Sequence, residues 1–112
     1  MTDITDEYMM SMMSKTSSYC IIILKAGPKI HSPGADKIIW EHGRRNFALR
    51  ADGILNIVCP VRDGGDTCGI GIFNASVEQT KKIMDEDPGV QGGLFTYEVH
   101  ACRSFPGDRL AG

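Results

Sequence analysis

The segment Tyr19 to Lys25, YCIIILK, is almost continuously apolar and rich in β-branched residues. A run of that kind predicts a central strand, flanked on both edges and covered on both faces. Gly27-Pro28 stops it. The chain has 112 residues, which fits one compact domain. A domain of that size buries only about two-thirds of the surface its unfolded chain exposes, so a strand needing cover on both faces strongly limits the architecture.

The rest of the chain supplies partners for that strand. The stretch from about Ala35 to Asp52 is free of proline and predicts a helix, although its apolar pattern is untidy. Ile38 and Leu49 fall on one arc, and Trp40, Phe47 and Ala51 on another. Gly53 stands where a C-terminal helix cap belongs. ILNIVCP (Ile54 to Pro60) predicts a second strand, and RDGGDT carries the Asp-Gly signature of a hairpin turn. CGIGIFN alternates, with Ile70 and Ile72 on one side and Gly69, Gly71 and Phe73 on the other. Those two glycines leave side-chain-free space, which suits close packing or a small cavity. Ser76, with Gln79 three residues on, predicts a capping box opening a helix that runs to about Asp85 and is closed by Pro88. LFTYEVHAC (Leu94 to Cys102) predicts the last strand.

The order β-α-β-β-α-β implies an α+β fold, the ferredoxin-like split βαβ sandwich with both helices on one sheet face. Nothing in the chain covers the opposite face, so pairing with a second copy is expected, giving a homodimer. The expected organisation is a flexible N-terminal tail over residues 1–18, the domain over 19–102, and a C-terminal tail over 103–112. Five of the six methionines lie in the first 13 positions; Met9, Met10, Met12 and Met13 would form one turn if that segment docked as a helix.

Composition narrows the function. A net charge of −2 with dispersed Lys and Arg argues against nucleic acid, which needs a clustered basic face. No apolar run reaches the roughly 18–20 residues of a membrane span. Asp3, Asp6 and Glu7 occupy the place where a signal peptide carries positive charge, so the expected location is the cytoplasm. Cys20, Cys59, Cys68 and Cys102 include no CxxC pair, and neither structural zinc nor any other metal or cofactor is expected; each thiol lies in or beside a strand-like segment, as a small hydrophobe does.

Several phrases taken in order carry a family resemblance: IIILKAGP, EHGRRNFALRADGIL, IVCP, GIGIFNAS, IMDEDPGVQGGLF and YEVH. Together, over roughly Tyr19 to Cys102, the chain resembles the YciI-like (YCII-related) family. The resemblance implies a ferredoxin-like subunit that pairs into a dimeric α+β barrel, with a His–Asp pair as its active-site feature. Carried over, these are His42 in EHGRRNF and Asp87 in DEDPGV. Related members act on small ring compounds as lyases or dehalogenating enzymes. The chain departs from the family pattern at Cys59-Pro60, commonly Gly-Pro, and at Gly43 and Asn46, often apolar.

Topology allows the two groups to meet without that resemblance. The first helix starts, and the second ends, at the same edge of the sheet, so His42 and Asp87 belong at one end of the molecule. The acidic run Asp85-Glu86-Asp87 would lie at a helix C-terminus, where the dipole disfavours each charge by about 0.3–1 kcal/mol; His42 or Arg45, on one helical face, would offset it. A carboxylate on one imidazole nitrogen leaves the other free for acid–base work. Asn46 is a candidate ligand hydrogen-bonder, and Arg45 a candidate clamp for an anionic substrate. Ser76 is an N-cap, and His31 and His100 are structural or solvent-exposed. The expected function is a small enzyme of lyase or isomerase type acting on a compact polar or ring-bearing molecule. That reading expects the pair at a rim, with His42 accessible to solvent beside a cavity, whereas a pair that only ties helix to loop would be sealed. A non-catalytic ligand-binding or accessory dimer using the same pocket as a sensor, and a pure interaction module, remain the alternatives.

Overall fold

A computed structural model describes all 112 residues. Its elements are α1 (Asp6–Met13), β1 (Ser17–Ala26), α2 (Ala35–Ala51), β2 (Leu55–Pro60), β3 (Thr67–Phe73), α3 (Val77–Asp85), α4 (Pro88–Gln91) and β4 (Phe95–Ser104). The four strands form one antiparallel sheet in the order β2-β3-β1-β4. This is the expected α+β, ferredoxin-like arrangement, with YCIIILK in the middle of the sheet.

Register explains which face each residue serves. Cys20, Ile22 and Leu24 lie opposite Phe73, Gly71 and Gly69, and their side is buried against Ala35, Met84 and Leu94 in the core. Ile21 and Ile23 lie opposite Ile72 and Ile70 on the other side. That side has no helix over it: Ile70 is 40% exposed, and Ile21, Ile23, Ile57 and Ile72 are half-buried. Within one chain the central strand is therefore buried on one face only. Toward β4 the open face turns polar, with Lys25 paired to Glu98 at 3.2 Å.

Local signals hold at the helix ends. Ser76 Oγ accepts from the Gln79 backbone N–H while the Gln79 side chain accepts from the Ser76 N–H, a complete capping box. After α2, Gly53 adopts φ +76°, and the N–H groups of Gly53 and Ile54 return to Arg50 and Leu49, a Schellman closure that suits glycine. Gly43 is different: it sits in mid-helix, where glycine is less favourable than alanine by about 0.5–1 kcal/mol, yet a Cβ there would meet nothing within 4 Å.

The termini differ from expectation. Residues 6–13 form a helix capped by the Thr5 side chain, and β1 begins at Ser17, so the first 18 residues are not one irregular tail. None of the residues in α1 is buried, and an isolated helix of eight residues is marginal in water. β4 extends to Ser104 by pairing with Ser17 and Ser18 of β1, and the Arg103 side chain bonds Thr16 and Ser18 across the sheet end. A further helix, α4, was not anticipated: Pro88 does lie just beyond α3, but it also opens a new turn.

Candidate functional site

The untidy pattern of α2 is resolved by its inward face. Ala35, Ile38, Ile39 and Leu49 pack against the core, and His42 sits among them with 8% exposure. Trp40 and Phe47 are exposed at 70% and 63%. The apolar stripe is interrupted at His42, Arg45 and Asn46, where α2 passes the start of α4.

There, Asp87 meets His42. Nδ1 of His42 lies 2.9 Å from Oδ1 and 2.8 Å from Oδ2 of Asp87. Asp87 Oδ2 also accepts the backbone N–H groups of Gly89 at 2.9 Å and Val90 at 3.2 Å. Asp87 is thus the N-cap of α4, with Pro88 at the first helical position. The dipole expectation inverts for this residue, which faces unpaired N–H groups and not carbonyls. Asp85 finds a different partner, the Tyr97 hydroxyl at 2.6 Å; burial and that carboxylate push the tyrosine up to about 12.

The pair is not at a rim. Asp87 is 1% exposed, and the His42 ring stacks at a 45° tilt on Phe95 with centroids 4.8 Å apart. Gly89 permits this closeness, since a Cβ there would lie 2.5 Å from the Phe95 ring and 3.0 Å from Asp87 Oδ2. Burial alone would raise the Asp87 carboxyl, but the His42 hydrogen bond and charge and the two backbone donors outweigh it and hold the group below its ordinary value.

Because Asp87 accepts at Nδ1, the Nδ1–H tautomer is the neutral form that fits, leaving a lone pair on Nε2. Asn46 Nδ2 lies 3.3 Å from Nε2 and donates to it. Arg45 goes elsewhere: its Nη1 is 3.7 Å from Asp87 Oδ1, and it is absent from the cavity wall that His42, Gly43 and Asn46 share. The arginine therefore supports Asp87 from behind and does not face the cavity as an anion clamp.

That cavity, of about 290 Å³, lies between α2 and the β2–β3 half of the sheet. Twelve of its eighteen lining residues are hydrophobic and none is Asp, Glu, Lys or Arg. Gly69 and Gly71 line it on the sheet side, Cys59 and Pro60 lie toward the edge, and Phe47 borders it. Both sheet glycines also serve packing: a Cβ at Gly71 would sit 3.1 Å from Leu55 Cδ1, and one at Gly69 3.3 Å from the Cys59 carbonyl. His100 and His31 are exposed and take no part. No three His, Cys, Asp or Glu residues converge anywhere as a metal-binding group.

Sequence reasoning missed Phe95, Gly89 and the N–H donors of α4. The Asp-Pro-Gly signature of a helix start was present for the last two. Nothing in the sequence marked Phe95 as a partner of His42.

No protein-family model matches the chain, and no curated protein matches it. Among solved structures it is similar to 5-chloro-2-hydroxyhydroquinone dehydrochlorinase from Burkholderia phenoliruptrix, determined with 2,5-dihydroxybenzoquinone. The identity is 19% and the TM-score 0.49, over 75% of this chain and 91% of that one. No helix is long and apolar enough to cross a membrane.

Proposed function

We propose that the chain is a small acid–base enzyme of lyase or isomerase type, consistent with its YciI-like resemblance, and that His42 is the proton-transfer group. One observation carries the reading: His42, whose Nδ1 is held by Asp87, lines a largely apolar cavity. Nε2 takes a proton from a bound small molecule, and Asp87 stabilises the imidazolium that forms. The same nitrogen returns the proton to a neighbouring atom in an isomerisation, or keeps it while a leaving group departs in an elimination. The His42 contact and the α4 N–H groups hold Asp87 in its charged form, and Arg45 lies against its Oδ1 at 3.7 Å.

The functional unit in this proposal is a homodimer, joined through the open face around Ile21, Ile23, Ile57, Ile70 and Ile72. Contiguous apolar surface of that kind marks an interface. A second reading, a non-catalytic ligand-binding dimer, draws on the low exposure of His42.

Solvent deuterium incorporation separates the two. Wild type and His42→Ala are incubated in D₂O with neutral cyclic ketones and lactones, and exchange at the α-carbon is followed by proton NMR. Wild type is expected to accelerate exchange of at least one compound by about 10²–10⁴-fold over His42→Ala, the usual range for a positioned acid–base group. Equal rates for the two proteins across the panel favour the binding module.

A further inference from the structure

The cavity beside His42 has an electrostatic character that its hydrogen bonds define closely. No Asp, Glu, Lys or Arg lines it. Arg45, on the same helix, is engaged with the buried Asp87 carboxylate at 3.7 Å, and that carboxylate is bonded to the imidazole Nδ1. Two polar side chains line it side by side, His42 and Asn46, with the acceptor Nε2 of one 3.3 Å from the donor Nδ2 of the other. An anionic head would bring acceptors onto a lone pair, with a carboxylate beyond it and no cation to meet them. A neutral head with adjacent donor and acceptor, as in an amide, lactam or enol, would take the place of their mutual contact with two bonds.

Gly43 adds the second half. It lines the cavity next to His42, in a helix interior where glycine is unfavourable, and no neighbour within 4 Å demands its small size. Packing gives no reason for a glycine here; an open cavity wall does. We propose that this cavity takes an uncharged, largely apolar molecule with a paired donor–acceptor head, and that Gly43 is the position limiting its size. The inference rests on the reading of this cavity as the functional site, but concerns binding and not turnover.

Benzamide and benzoate are nearly equal in shape and differ in charge and in donor capacity, so they test it directly. Titration is followed by amide NMR at pH 8.5, about two units above the ordinary imidazole value. Benzamide is expected to shift the signals of Gly43, Asn46, Gly69 and Gly71 saturably, and benzoate to bind at least tenfold more weakly. The series Gly43→Ala, Gly43→Val, Gly43→Leu is expected to weaken benzamide progressively, and Gly43→Ala to unfold at a higher temperature than wild type, so the trend stands even if the leucine variant fails to fold. Benzoate binding as tightly as benzamide, no response to either, or benzamide binding indifferent to the size of residue 43 would each overturn the proposal. Absence of deuterium exchange together with selective benzamide binding would remove the enzyme reading and leave this one standing.

Discussion

Asp87→Ala is expected to destabilise the fold by about 2–4 kcal/mol, the sum of a lost N-cap and a buried imidazole N–H left unpaired. The size of the effect follows from placement. Asp87 is 1% exposed and is the only side chain bonded both to His42 and to the first turn of α4. Urea unfolding measures it, and a loss under 1 kcal/mol would mean that these bonds contribute little. The pH dependence has a definite sign. Because the folded carboxyl titrates below its ordinary value of 3.8, the unfolded chain binds the proton first as pH falls. The stabilisation is present above about pH 4 and is lost as pH drops through the folded value. Wild type should therefore lose more stability than Asp87→Ala over that acid range.

Ile72→Asp is expected to convert the protein to a monomer at micromolar concentration. Ile72 lies between Ile21 and Ile57 in the apolar half of the open sheet face. If a second copy covers that face, an aspartate there is buried without a partner, and an unpaired buried charge costs several kcal/mol. If the face is solvent-exposed in the native protein, the substitution changes little. Sedimentation equilibrium distinguishes the two. A wild-type monomer, or a dimer undisturbed by Ile72→Asp, removes the open face as the interface.

Much of this architecture is legible in the residues because local and global signals agree. The YCIIILK run, the Gly69/Ile70/Gly71/Ile72 alternation and the Ser76–Gln79 box each specify one conformation, and the sheet register combines them without conflict. The site was legible in outline, since the strand order alone brings His42 and Asp87 to the same end. Its depth was not. Both residues are polar types that usually face water, and only the tertiary arrangement of Phe95, Gly89 and α4 shows them buried. Arg45 is the instructive case: its place near the pair follows from helical spacing, but its direction depends on which acceptor is closer, and Asp87 takes it. In α2 the broken apolar stripe marks where the buried His42–Asp87 pair sits, a departure from regular patterning.

The account depends most directly on which nitrogen of His42 carries the proton in the neutral ring. Long-range proton–nitrogen NMR on ¹⁵N-histidine protein at pH 8.5 reads this for the wild type and for Asp87→Asn. In the variant, the oxygen that accepts from Gly89 and Val90 is retained and still lies 2.8 Å from Nδ1, while the amide nitrogen takes the place of Oδ1, 2.9 Å from Nδ1, and competes as a donor for that ring nitrogen. The prediction is an Nδ1–H ring in the wild type and a larger Nε2–H share in Asp87→Asn. An Nε2–H ring in the wild type would place a donor, not a base, toward the cavity and contradict the assignment of His42 as the proton acceptor.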